Sequence, residues 1–266
     1  MNVDRILYIS QEITPYVASR PISAFGKELP ERILGHGSEV RTFMPRYGII
    51  NERRNQLHEV IRLSGLNIVI DDTDHPLIIK VATLQPSRMQ VYFIDNDDYF
   101  IRHSAKGLET ETHFDENDER AIFFVRGVLE TVRKLRWSPS IIHCTGWITA
   151  LASLYIKKKY YDDPTLANAK IVYSLFDDRF EGSFDPRMAE KLKLDGFSEA
   201  DLNGLVNNPD HRALNHIAID HADAIAISSD NVDEHLIDYA RASGKPLLEF
   251  PGEGNHDAYH DFYSAL

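Results

Sequence analysis

The chain has 266 residues, of which 43% are hydrophobic and 26% charged, a balance that supports a sizeable core and excludes an intrinsically disordered chain. Its formal net charge of −12 excludes a phosphate-binding basic surface on balance, so no nucleic-acid partner is expected. Cys144 is the single cysteine, which rules out an internal disulfide framework and a multi-cysteine zinc site. The N-terminus MNVDRILYIS has neither secretory nor transit character, and no apolar run reaches membrane-spanning length; a cytoplasmic protein without membrane contact is expected.

Taken in chain order, RILYIS (5–10) is a β-branched and aromatic run suited to a buried strand, followed by a loop broken at Pro15. From Ile22 to Gly35 the apolar residues Phe25, Leu29, Ile33 and Leu34 recur at helical spacing, and Gly35 and Gly37 end the helix before a second strand, SEVRTFMP (38–45). This is a βαβ unit, the building block of doubly wound sheets. Residues 57–95 read as further strands arranged as hairpins, separated by DDTDHP and QPSR. An acidic loop leads to an amphipathic helix over Glu119–Leu135, with Phe123, Val128, Leu129 and Val132 on its buried side. The rest predicts strand SIIHC (140–144), helix 147–161, strand 169–176, an irregular stretch, a helix near 210–222 and strand AIAISS (224–229). The fold class is therefore α/β: one Rossmann-like three-layer domain over 1–266 with a mostly parallel, doubly wound sheet.

In such folds ligands bind beyond the carboxyl ends of strands, so the loops after strands are the informative ones. None holds a GxGxxG fingerprint or a P-loop, and no cofactor is expected. The Lys-rich segment YIKKKYY (155–161) reads as a solvated helix face, and DDTDH (71–75) as a turn whose Asp side chains bond their own backbone. Asp177–Asp178, directly after a strand, is placed for either a turn or a ligand. His256 and His260, four apart, would share a face if that segment were helical, but without a third ligand no metal is expected. His143 and Cys144 point to opposite faces of a strand, which argues against their pairing as base and nucleophile. Trp147, beside a strand end, offers either a sugar-stacking face or a packing role.

Together ISQEITPY, FGKELPERILGHGSEVRTFMPRYG, VYFIDNDDYFIR, IIHCTGW and HADAIAISS resemble, in order and spacing, the N-terminal domain of bacterial glycogen synthases and plant starch synthases. These retaining glycosyltransferases move glucose from ADP-glucose to an α-1,4-glucan and have a GT-B fold of two Rossmann-like domains facing across a cleft. The resemblance implies that this chain corresponds to the N-terminal half of that fold. The departures fall on the working positions. The family's Lys-x-Gly-Gly-Leu loop, which contacts the nucleotide diphosphate, aligns with Ala18, Ser19, Arg20, Pro21 and Ile22. Its glycine pair, which admits phosphate to backbone N–H groups, is here an arginine and a proline. The family's His-x-His-Asp-Trp aligns with His143, Cys144, Thr145, Gly146 and Trp147, and its Ile-His-Asn with Leu175, Phe176 and Asp177. Thr145, Gly146 and Phe176 thus stand where catalytic side chains are expected.

The expected ligand-binding residues are Ser19, Arg20, Arg46, Tyr99, Arg102, His143, Trp147, Asp177 and Asp178. Because the chain ends near the close of the family's first domain, the expectation is a non-catalytic module binding an α-glucan or another protein. An isolated GT-B domain forgoes donor–acceptor positioning that contributes roughly 7–11 kcal/mol. One alternative is the acceptor half of a split synthase whose second domain is a separate polypeptide, which predicts an apolar face near 244–266. Another is a site for a different small ligand built on Arg20, Arg46, Asp177 and Asp178.

Overall fold

Strand β1 (Arg5–Ser10) is buried along all but its first residue, which is why its sequence is a continuous apolar run rather than an alternating one. A computed structural model describes residues 4–101 and 116–266. Arg102 and most of the acidic loop lie outside the described residues. After β1 come helix α1 (Pro21–Gly35) and strands β2 (Glu39–Pro45), β3 (His58–Glu59), β4 (Leu66–Ile70), β5 (Thr73–Leu84) and β6 (Met89–Asp95). Helix α2 (Asn117–Leu135) leads to β7 (Ile141–Thr145), the short helix α3 (Ala152–Leu154), β8 (Lys170–Leu175) and helices α4 (Met188–Leu194), α5 (Glu199–Leu202) and α6 (His211–His221). The chain continues through β9 (Ala224–Ile227), α7 (Glu234–Ala242), β10 (Leu247–Leu248) and α8 (Asp257–Ala265).

The sheet order is β10-β9-β8-β7-β1-β2-β6-β5-β3, with β4 paired to β5. From β10 to β6 all neighbours are parallel, while β5 and β3 run antiparallel at the edge and give the hairpins expected over 57–95. The order reverses at β1: β2 pairs with one side of it and β7 with the other, with Ile6 opposite both Val40 and Ile141. The loops after β1 and β7 therefore diverge, and a crevice opens at the carboxyl ends of the strands.

Helix α1 packs on β1, β2 and α8, whereas α2 packs on β2, β6 and the turn at Trp147–Thr149, and α6 on β8 and α3. Gly26 allows α1 to lie close to the loop after β1, because a Cβ there would meet the Glu12 carbonyl oxygen at 2.2 Å. The segment expected as one helix over 147–161 is instead a 3-10 turn (Trp147–Thr149), α3, and a π-helical turn (Tyr155–Lys159). Lys157, Lys158 and Lys159 there pair with Asp223, Asp201 and Asp195 at 2.8, 2.7 and 2.6 Å, so the basic run is internally neutralised. Helices α4, α5, α7 and α8 and strand β10 add to the elements expected from the sequence. Among the described residues, no helix is long and apolar enough to cross a membrane.

Candidate functional site

A cleft of about 960 Å³ opens at the carboxyl ends of β1, β7, β8 and β9. Its walls are the loop after β1 with the start of α1, the β7 turn at Trp147, residues 176–180, residues 228–231 and the strap 250–256 that leads into α8. The two loops that carry Arg20 and Asp177 meet here.

The first wall is closed by its own charges. Glu12 is almost fully buried, and its carboxylate accepts hydrogen bonds from the Arg20 guanidinium, through Nε at 3.1 Å and through Nη2. Arg20 caps α1, donating its backbone N–H to Ser23 Oγ at 2.8 Å, and Pro21 follows at the first helical position. Proline suits that position because it has no N–H to leave unsatisfied. The helix start therefore presents a guanidinium bound to a buried carboxylate in place of an open row of amides.

The second wall turns at Gly146, whose φ of +92° is the left-handed region. A Cβ on Gly146 would lie 2.5 Å from Gln11 Cβ and 2.7 Å from Gln11 Oε1, so the position is reserved for glycine. Trp147 then donates its backbone N–H to Asp178 Oδ2 at 2.6 Å, and Asp178 Oδ1 accepts from His211 Nε2 at 3.0 Å. Asp178 thereby ties the β7 turn, the β8 loop and the start of α6 together. The Trp147 ring is 2% exposed and packs among Phe180 and Phe184 at centroid distances of 5.9 and 5.2 Å. The ring is thus packed among aromatic neighbours rather than open to solvent.

His143 does not reach the cleft. It is fully buried between β7 and the α1/α8 layer, 6.0 Å from the rings of both Phe25 and Tyr259. Tyr259 donates to Ser228 Oγ and Ser228 to Ser174 Oγ, each at 2.8 Å. Ser174 then has its proton for His143 Nε2, 2.5 Å away, which leaves Nδ1 as the donor to the Tyr263 hydroxyl. Burial pushes the His143 imidazole down to about 3, so the ring is neutral. The same burial raises the Cys144 thiol on the opposite face of the strand. These groups fasten α8 to the sheet, and Asp257 holds it to α1 through Arg32 at 2.6 Å and His36 at 2.8 Å.

Of the residues singled out from the sequence, Ser19, Arg20, Trp147, Phe176, Asp177 and Asp178 line the cleft. Thr145 lies beneath it in β7, buried. Arg46 belongs to a separate ionic cluster: its Nε meets Glu52 at 2.9 Å, and Lys80 bridges Glu52 and Asp95 at 2.6 and 2.8 Å. Tyr99 is buried with its hydroxyl 2.8 Å from His75 Nε2 and 2.7 Å from Glu119. His256 meets Glu28 at 3.3 Å in the cleft wall, whereas His260 stacks on His36 at 4.2 Å, so the two histidines serve different contacts. Sequence reasoning missed Gln11, Glu28, Arg179, Phe250 and Glu253, all of which line the cleft. The Gly252 and Gly254 pair in the strap, both at positive φ, was the one local sign of a built loop there.

Comparison with known proteins follows the same frame. Residues 5–246 match the family model for the starch synthase catalytic domain. The chain is 34% identical over 249 residues to a glycogen synthase of Chlorobium chlorochromatii, covering 92% of this chain and 50% of that protein. A glycogen synthase of Chlorobium limicola is 33% identical over 229 residues, covering 85% and 45% respectively. The catalytic domain of starch synthase IV from Arabidopsis thaliana, solved bound to ADP and acarbose, superposes with a TM-score of 0.74 at 17% identity, over 92% of this chain and 51% of that one. The chain thus spans about half the length of the relatives it matches, and its fold is that of one half of a GT-B protein. With an α/β frame of this topology and a family match over nearly all of its length, the chain belongs to the starch synthase catalytic domain family.

Proposed function

We propose that this domain is a non-catalytic saccharide-binding module of its family, taking an α-glucan in the strand-end cleft without ADP-glucose chemistry. The observation that carries the reading is the charge of the cleft: Glu28, Asp177, Asp178, Asp230 and Glu253 line it against the guanidinium groups of Arg20 and Arg179. Arg20 is already bound to Glu12. Carboxylates repel a nucleoside diphosphate but accept hydrogen bonds from sugar hydroxyls. Pro21, with no N–H, stands where the family resemblance expects backbone contact with phosphate, and Thr145 where it expects the histidine of the sugar-transfer site.

The reading is tested by titrating the purified chain with maltoheptaose, ADP and ADP-glucose in a calorimeter, and by assaying transfer of labelled glucose to glycogen. Saturable maltoheptaose binding without ADP or ADP-glucose binding is expected. Label incorporation by this chain alone would overturn the non-catalytic part. The alternative of a second polypeptide completing a synthase predicts an exposed apolar face over 244–266. In that segment Leu247, Leu248, Phe250, Phe262 and Leu266 are partly buried against the core, and none is among the exposed large hydrophobic residues.

A further inference from the structure

The strap 250–256 and Tyr259 of α8 form one wall of the cleft. Of the side chains of α8 only Tyr259 and Tyr263 are buried, and each is tied to the core through its hydroxyl, Tyr259 donating to Ser228 Oγ at 2.8 Å and Tyr263 accepting from His143 Nδ1. The other ties to α1 lie near the surface: Asp257 with Arg32 and His36, and His256 with Glu28. A helix attached by two buried side chains and a few ion pairs separates from its domain at a lower free energy than the sheet beneath it. The strap supplies the hinge. Gly252 and Gly254 are exposed, lie at positive φ, and have no non-neighbouring heavy atom within 4 Å of the position a Cβ would take.

Beneath α8 lies a titratable group. His143 is fully buried and faces Tyr8 of β1, Phe25 of α1, Ser174 of β8, and Tyr259 and Tyr263 of α8. No carboxylate or cation among the described residues touches the ring, so nothing compensates a proton there while α8 is in place. We propose that α8 and the strap are a lid on the cleft that opens about the Gly252–Gly254 hinge, and that protonation of His143 holds the lid open. With α8 lifted the imidazole meets water and takes up a proton below about pH 6.5. The open population then rises by up to about tenfold per pH unit, until the pH nears about 3, where the closed ring itself titrates. Other groups between α1 and α8 respond to acid as well. Charging His36 and His256 tightens their pairs with Asp257 and Glu28, whereas the stacked His36 and His260 repel once both are charged. His260 pairs with Asp261 within α8 itself. These contacts are partly exposed and screened, but a charged His143 under a closed lid has neither water nor a counter-ion, so the buried ring decides the direction.

The test is hydrogen exchange of the full chain, read by mass spectrometry at about pH 7 and about pH 5 with times corrected for intrinsic exchange. Peptides covering 257–266 are expected to exchange at least about fivefold faster at the lower pH, while those covering β1 and β7 keep their protection. Cys144, buried on the opposite face of β7 from His143, is expected to stay shielded from dithiodipyridine at both pH values. His143→Gln, which cannot titrate, is expected to show equal protection of α8 at the two pH values. His36→Gln combined with His256→Gln leaves the buried ring untouched and is expected to keep the acid response, which provides a second test if His143→Gln does not fold. Equal exchange of α8 at both pH values in the unaltered chain, or an undiminished acid response in His143→Gln, would overturn the proposal. So would loss of the response in the His36→Gln, His256→Gln chain. Faster exchange spread over β1 and β7 with Cys144 labelled would mean global unfolding, and faster exchange confined to residues 264–266 would mean a fraying helix end; either result replaces the lid.

Discussion

The Gln11 side chain occupies the space that a Cβ on Gly146 would need, with 2.5 Å between the two Cβ positions. A residue at the end of β1 thus dictates the residue type at the end of β7. Gly146→Ala is expected to lower stability by roughly 2–5 kcal/mol, from left-handed strain and overpacking together. Gly146→Asp, which restores the family's residue, is expected to be at least as damaging and to create no transferase activity. Urea unfolding with an unchanged slope and a lowered midpoint is the expected signature; a midpoint equal to that of the unaltered chain would show that Gln11 can move aside.

Stability is expected to depend on pH through His143. The folded imidazole is held near 3 by burial, while in the unfolded chain it returns to an ordinary value of about 6.5. Below about pH 6.5 the unfolded chain gains a proton that the folded chain refuses, so stability falls as pH drops from about 6.5 towards 3, by at most about 1.4 kcal/mol per pH unit. Above that window the group contributes no slope. His75, His216 and His221 are also lowered by burial and act in the same direction. Comparing urea midpoints of His143→Gln and the unaltered chain at intervals from about pH 7 to about pH 4 isolates the one histidine: the variant's curve is expected to be flatter, and parallel curves would contradict the assignment.

At the first cleft wall, Arg20→Ala removes the partner of a carboxylate that is 1% exposed, while the guanidinium itself is half in solvent. Solvent screening reduces the cost of a broken buried pair, and a loss of about 1–2 kcal/mol is expected. Adding Glu12→Gln to Arg20→Ala is expected to recover part of that loss, since the orphaned charge is then gone. A double-mutant cycle by thermal unfolding measures it, and strict additivity would show that the two groups do not interact.

A deeper pair lies away from the cleft. Lys191 meets Asp118 at 2.7 Å, with side-chain exposures of 4% and 0%, and also contacts Glu119 and Asp185. Lys191→Met is expected to cost roughly 3–5 kcal/mol by stranding buried carboxylates, and Lys191→Met with Asp118→Asn less. Burial already pushes the Asp118 carboxyl up to about 6 with Lys191 present, so the single variant is expected to hold that proton still more firmly. Carboxyl titration followed by NMR would show the rise, and an unmoved Asp118 would refute it.

Much of the frame was legible because it rests on local periodicity. The apolar run 5–10, the 3.6-residue spacing of Phe25, Leu29 and Ile33, and the stop at Gly35 and Gly37 each state their own structure, and β1, α1 and β2 follow them closely. The 147–161 segment misled because it is apolar through Ile156, so no face is marked and burial decides among 3-10, α and π turns. Helix α8 was unreadable for a related reason: only Tyr259 and Tyr263 are buried, and their partners lie more than 30 and up to 255 residues away in Ser228, His143 and Tyr8.

The cleft followed the same division. Residue identities alone determined what kinds of groups stand after each strand: Arg20 and Pro21 for a glycine pair, Gly146 and Phe176 for polar side chains, Asp177 and Asp178 after β8. Tertiary structure decided which of them face one space, placing Arg20, Trp147 and Asp177 in the cleft, burying His143 under α8, and sending Arg46 and Tyr99 to other clusters. It also recruited Gln11 and the 250–256 strap. Secondary structure is written in the spacing of neighbouring residues, whereas a site is made by side chains far apart in the chain whose burial and pairing exist only once the sheet has assembled them.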